Sequence, residues 1–305
     1  MNPYLTKKLA PILDRVPYVR RLRKLARDAG NYPPGHYYSP IPNQAEIRAR
    51  LELMKRTKPE LPDIRFNDRE QFGVLERFAQ FYGDLPFPEH KSGKCRYYYD
   101  QTVFSYPDAI FLFCFLRHIA PRKIIEVGSG LSSAVILDTV DRFFSPVPEL
   151  TFIEPDPVRL NQILRPDDRS RINVLVERIQ NAPVDLFTSL RPGDFLFVDS
   201  SHVLKCGSDV QFLFFEVLPR LPAGVYVHFH DIFRTFEYPD SWLTQGWYWN
   251  EAYFIRAFLS NNSAWEIYFF NNYVRAHFEE YLAEKMPLCL KDVGGSLYIR
   301  KTRSE

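Results

Sequence analysis

The sequence predicts an α/β fold, a largely parallel sheet with helices on both faces. Three observations carry this expectation. Five short segments, at 123–127, 150–153, 172–176, 195–198 and 225–229, recur through the second half of the chain. They are almost wholly apolar rather than alternating, which is the pattern of strands covered on both sides. Helical segments lie between them, notably 132–144 and 208–218, giving the strand–helix–strand rhythm of parallel crossovers.

A chain of 305 residues holds one large domain, or a core with a smaller appended part. We place the boundary at 105, with a helical and extended N-terminal segment (1–105) before the sheet domain (106–305). Residues 1–30 read as a basic amphipathic helix. Leu5, Leu9, Leu13, Val16, Val19, Leu22 and Leu25 fall near helical spacing, and Pro11 and Pro17 are expected to interrupt it. Such a helix could dock on a membrane surface or a partner; the prolines favour one laid on its own domain. Residues 31–43 contain four prolines and are expected to be extended and polyproline-like. From 44 to 81 the pattern is helical and charged, and 82–107 is irregular and rich in tyrosine. A buried helix is expected over 107–119, stopping before Pro121. After a helix at 251–259, the segments 266–270 and 296–299 read as two closing strands.

Composition narrows the function. The first thirty residues hold eight basic and two acidic side chains, so the rest of this +2 chain is net acidic. With no basic stripe beyond the N-terminus, nucleic acid is not an expected partner. Cys95, Cys114, Cys206 and Cys289 form no Cys-x-x-Cys pair, which points to free thiols in a reducing compartment. No signal peptide is visible, and the longest apolar run, 109–116, is too short to span a bilayer. The expectation is a cytoplasmic protein, with contact to the inner membrane face through residues 1–30 left open, as is homo-oligomerisation.

The segment Ile124-Ile-Glu-Val-Gly-Ser-Gly-Leu-Ser-Ser133 ends a strand, turns tightly and enters a helix. Gly128 and Gly130 let the backbone approach a ligand, and the helix start offers free N–H donors. The next strand ends in Glu154, placed to accept hydrogen bonds from both hydroxyls of a ribose. Dinucleotide folds usually carry a third Gly or Ala where this chain has Ser133, so a nucleoside cofactor without pyrophosphate fits better. Glu126, just before the glycines, is expected to position the turn and the cofactor's amino-acid end, with Ser129 within the turn itself.

The fourth strand runs into Asp199-Ser-Ser-His202 and the fifth into His228-Phe-His230-Asp231. Parallel strands bring these ends to one sheet edge, so Asp199 and Asp231 are expected to converge. Two such carboxylates repel unless a proton or cation lies between them. A divalent metal held by Asp199 and Asp231 would make an acceptor hydroxyl nucleophilic while His202 takes its proton. His230, next to Asp231, is a further candidate ligand; imidazole is a poor ligand for Mg²⁺ but suits Mn²⁺, Fe²⁺ or Zn²⁺. His228 and His230 share a strand face, and a satisfied core histidine is the plainer reading of each. The aromatics between 233 and 253, Trp242 among them, are expected to overhang this edge. His36, Tyr37 and Tyr38 are expected to close the acceptor pocket from the other side.

On the turn 126–130, Glu154, Asp199-x-x-His202 and the 230–231 pair, residues 121–300 resemble the class I S-adenosylmethionine-dependent methyltransferases. Within them the chain resembles the branch related to macrocin-type, metal-dependent sugar O-methyltransferases. The segment 35–42 is also similar to N-terminal segments in that group. The resemblance implies a Rossmann-like sheet of seven strands with the last antiparallel, S-adenosyl-L-methionine as cofactor, and a divalent metal such as Mg²⁺, Mn²⁺ or Fe²⁺. It implies metal and base roles for Asp199 and His202, and methylation of a hydroxyl on a sugar, glycan or related small molecule. A metal-independent methyltransferase, an NAD-type oxidoreductase on the same glycine turn, and a non-catalytic subunit with this fold remain as alternatives.

Overall fold

The computed structural model describes residues 15–28, 30–56 and 60–303. They fall into two units. The smaller comprises residues 1–59 and 239–248, and the larger 60–238 and 249–305.

The larger unit is built on a seven-stranded sheet. Its strands are β1 (Lys123–Val127), β2 (Glu149–Ile153), β3 (Ile172–Leu175), β4 (Phe195–Val198), β5 (Tyr226–Phe229), β6 (Trp265–Phe270) and β7 (Leu297–Lys301). They lie in the order β3-β2-β1-β4-β5-β7-β6. β1 to β5 pair in parallel, and β7 runs antiparallel to both β5 and β6. All four residues of β4 and of β5 are buried, which explains the wholly apolar spelling of β4 and the apolar run of β5 broken only by His228. The fold is therefore the α/β sheet expected, with the last strand antiparallel.

The helix Tyr106–Ile119 buries every residue from Pro107 to Leu116, so it shows no amphipathic stripe. Pro107 sits in its first turn, where a missing N–H is harmless, and Ala120 ends it in the left-handed region (φ 49°) before Pro121. Residues 60–105 belong with this unit. Helix Asp68–Ala79 packs on helix Tyr106–Ile119 and on β6. The irregular stretch 85–105 is tied down by Arg96, which pairs with Asp138 (2.8 Å), Asp141 (2.8 Å) and Asp168 (2.6 Å).

In the smaller unit two expectations are corrected. Pro17 does not interrupt a helix; it begins one, Pro17–Asp28, at the position where its fixed φ is favourable. The first half of the expected basic helix, residues 1–14 with Pro11, lies outside the described residues. The proline-rich stretch is not an extended rod either. Gly35 N–H donates to Ile41 C=O (2.9 Å), His36 N–H to Pro33 C=O (3.1 Å) and Ser39 N–H to His36 C=O (2.6 Å), so the segment folds back on itself. Gly35 permits this at φ 83°, where a Cβ would overlap the Asn43 side chain. Stacking helps as well: the His36 ring lies 4.4 Å from Tyr32 and 4.5 Å from Tyr37.

Candidate active site

β1 and β4 are neighbours, yet β1 is followed by β2 on one side and β4 by β5 on the other. Their carboxyl ends thus form a topological switch point, where open α/β sheets bind ligands. A pocket of about 400 Å³ opens there. Its walls include Gly128 from the end of β1, Glu154 after β2, Asp199 after β4, and Arg178, Lys205 and Asp209 from the flanking loops. A larger cavity of about 620 Å³ lies beside Asp63, Trp265 and Thr302, but it contains none of the acidic strand ends. Chemistry, not size, selects the smaller one.

The glycine turn is required by its surroundings. Gly128 sits at φ 78°, and a Cβ there would overlap the Asp199 carbonyl oxygen. Ser129 N–H and Asp156 N–H donate to the two Glu154 carboxylate oxygens (2.9 and 2.8 Å), which fixes Glu154 at the pocket wall. Each oxygen keeps a second lone pair for a ligand hydroxyl. Gly130 N–H donates to Ser133 Oγ (3.0 Å), whose hydroxyl donates to Glu126. Ser133 therefore spends its side chain holding the turn, where a third glycine would have none.

Glu126 is fully buried, and burial pushes its carboxyl up to about 8 despite the serine hydroxyls that favour the anion. A carboxyl whose folded value is raised stabilises the fold below its unfolded value near 4.5, and that stability is lost as pH rises through about 8. At about 1.4 kcal/mol per pH unit, the loss amounts to a few kcal/mol between pH 5 and pH 9. The Glu126→Gln protein should lack this component, so its melting temperature falls less over that range. Parallel curves for the two proteins would contradict the assignment.

Beside the pocket, His202 gathers three carboxylates. Its Nε2 lies 3.2 Å from Asp199 Oδ1 and 3.6 Å from Asp231 Oδ2, and its Nδ1 is 2.9 Å from Glu251 Oε2. His202 is buried, which disfavours charge, but the bonds to Asp199 and Glu251 outweigh burial and raise it to about 10. Against its own burial, the His230 imidazole and then the bond from His202 hold Asp199 down at about 2. The backbone is set for this. His202 and Asp231 both adopt φ 58°, a left-handed conformation uncommon outside glycine that clusters at functional sites. The His202 carbonyl accepts from Asn250 and Glu251 N–H (3.1 Å each), locking it to the start of helix Glu251–Leu259. The Trp249 ring covers the imidazole at 4.3 Å.

The convergence expected of Asp199 and Asp231 is present, and His230 joins it: one ligand atom from each of the three lies within 4.8 Å of the others. That donor set, two carboxylates and an imidazole, fits a divalent transition metal. Neither ring nitrogen of His230 has a hydrogen-bond partner. His228 departs from the plainer expectation of a satisfied core histidine. It is fully buried between Phe197 (4.0 Å) and Tyr298 (4.8 Å) with no partner at either nitrogen, and burial pushes its pKa well below the usual imidazole value.

The acceptor residues expected from sequence lie in the smaller unit. His36 and Tyr37 stack, with the Tyr38 ring tilted against both, and Trp242 packs on Trp247 at 5.3 Å. Of the aromatic segment, Tyr238, Trp249 and Tyr253 belong to the larger unit. Sequence reasoning passed over Glu251 and Asp108. Glu251 looks like routine acid in a helix's first turn, and Asp108 like the same in another helix. Their signal was an acid at the head of an otherwise apolar helix, and both are buried.

Residues 125–232 match a family model described as a methyltransferase domain. The matched stretch holds the glycine turn, Glu154, Asp199, His202, His230 and Asp231. An uncharacterized protein of Archaeoglobus fulgidus is 39% identical over 136 residues, which cover 43% of this chain and 62% of that one. Among solved structures, the chain is similar to a methyltransferase of Podospora anserina bound to SAH (14% identical, 86% of this chain and 98% of that one, TM-score 0.43). It is similar too to an O-methyltransferase of tomaymycin synthesis from Streptomyces achromogenes in complex with SAM (17% identical, 86% and 100%, TM-score 0.39). These structural likenesses are too loose to bear on cofactor or substrate.

Proposed function

We propose that the chain is an S-adenosylmethionine-dependent O-methyltransferase acting on a hydroxyl of a sugar, glycan or related small molecule, with a divalent metal at Asp199, His230 and Asp231. The observation that carries this reading is the junction of the glycine-turn pocket with the His202 carboxylate cluster. Asp199 belongs to both: it lines the pocket and bonds His202. Ser133, bonded to Glu126 where dinucleotide folds keep glycine or alanine, disfavours the NAD reading.

The cofactor, when bound, supplies an electrophilic methyl group, so the chain's residues need only orient it and activate the acceptor oxygen. Gly128 admits the ligand close to the backbone, and Glu154 offers acceptors to the ribose hydroxyls. A divalent cation, when bound, supplies positive charge beside the acceptor oxygen and offsets the carboxylates that keep His202 protonated. Glu251 holds the His202 ring through Nδ1 and leaves Nε2 facing Asp199 and Asp231. Nε2 is then the atom that takes the acceptor's proton.

Incubation with S-adenosylmethionine and a panel of hydroxylated sugars and glycans tests the reading by mass spectrometry. The expected product is heavier by one methylene. It should fail to form after EDTA and return with Mn²⁺. Full turnover after chelation removes the metal from the reading, and methylation confined to nitrogen or carbon acceptors removes O-methylation.

A further inference from the structure

We infer that Asp108 positions the His230 ring so that Nδ1 faces Asp199 and Asp231 as a metal ligand, making a nitrogen-containing site that prefers Mn²⁺, Fe²⁺ or Zn²⁺ to Mg²⁺. This rests on the metal reading above and adds Asp108 and a metal preference to it.

His230 is buried at the end of β5 with a carboxylate on either side of its ring. Nδ1 lies 3.7 Å from Asp199 Oδ2 and 3.5 Å from Asp231 Oδ1, while Nε2 lies 3.8 Å from Asp108 Oδ2. Asp108 itself cannot drift. Its Oδ1 accepts from Asn271 Nδ2 (2.7 Å), Gly295 N–H (3.0 Å) and Ser296 Oγ (2.6 Å), which leaves Oδ2 with no other assigned donor. The 3.8 Å gap is longer than a hydrogen bond, and a small tilt of the ring closes it. Phe104 packs against the ring at 5.1 Å and keeps it in this layer.

A neutral imidazole has one N–H and one lone pair. With Nε2–H directed at Asp108, the lone pair on Nδ1 points into the acid pair. A lone pair and two carboxylates repel unless a proton or a metal cation joins them, and a metal held by all three ligands displaces the proton. Histidine ligands are commonly oriented in this way, the other ring nitrogen donating to a carboxylate that fixes the tautomer. A nitrogen donor moves preference away from Mg²⁺, which favours oxygen, and toward the later divalent metals.

The Asp108→Asn substitution separates this arrangement from mere structure. The amide oxygen can keep the three donors now on Oδ1. Its NH₂ would then donate to His230 Nε2, leaving the proton on Nδ1, which can no longer ligate. The experiment uses the full chain stripped of metal and titrated with Mn²⁺, followed by electron paramagnetic resonance with Mg²⁺ as competitor. The bound Mn²⁺ in the unsubstituted protein should show imidazole ¹⁴N modulation and resist at least a tenfold excess of Mg²⁺. Asp108→Asn should bind Mn²⁺ about 10–100-fold more weakly and lose the modulation, at a similar melting temperature. In a His230→Asp background, the Asp108 substitution should no longer affect Mn²⁺ affinity. Bound Mn²⁺ without nitrogen modulation overturns the inference while leaving a metal site. Failure of the unsubstituted protein to bind Mn²⁺ removes the metal reading together with it. Neither of those two results depends on a variant that folds.

Discussion

Replacing Arg96 by methionine is expected to lower the free energy of unfolding by about 3–5 kcal/mol, which is what removing one partner from a buried ion network costs. The Arg96 side chain is only 2% exposed, and two of its three carboxylate partners, Asp138 and Asp168, are 3% and 1% exposed. Asp138 also accepts from the backbone N–H of Arg96 and Tyr97 (2.7 and 3.0 Å), so it cannot swing out to water once the guanidinium is gone. Arg171 still reaches Asp168 and Asp141, but nothing comparable remains for Asp138. Lysine should not rescue, because one ammonium cannot span three carboxylates as the planar fork does. Urea denaturation measures the effect. A loss under about 1 kcal/mol would mean that the network is solvated and that stretch 85–105 is held by its aromatic side chains alone.

The second large effect is on turnover. Removing the His202 imidazole should lower kcat by about 10²–10⁴, the usual contribution of a positioned proton acceptor. Asparagine is the better replacement than alanine, because residue 202 stands at φ 58°, a conformation asparagine tolerates. His202 is not part of the pocket wall, so cofactor affinity should stay within about twofold. Glu251→Gln should lower kcat less and shift the rising, acidic limb of the pH profile to lower pH, since it removes one of the charges that raise the imidazole. Equal losses of kcat and cofactor affinity in the His202 variant would assign the residue to structure instead.

The sheet was legible because its central strands spell their burial. Phe195 to Val198 and the run before Asp231 can be read as covered strands with no knowledge of their neighbours. The convergence of Asp199, His202, His230 and Asp231 was legible for a related reason: in a parallel sheet, consecutive carboxyl ends share an edge. What could not be read were partners supplied by elements whose sequence distance carries no such rule. Asp108 reaches His230 from a helix more than a hundred residues earlier, and Glu251 reaches His202 from a helix that begins after an irregular loop. Pro17 and Gly35 show the local limit. A proline marks either a helix's interruption or its first turn, and four prolines do not fix an extended path when a glycine among them can reverse it.

The most direct test of the central claim is calorimetric titration of the purified chain with S-adenosylmethionine and, separately, with NAD. The account predicts micromolar binding of S-adenosylmethionine with one site per chain, no comparable heat with NAD, and loss of binding in Gly128→Ala, whose methyl group would displace the Asp199 backbone from the pocket wall. Tighter binding of NAD than of S-adenosylmethionine, or S-adenosylmethionine affinity unchanged in Gly128→Ala, would contradict it.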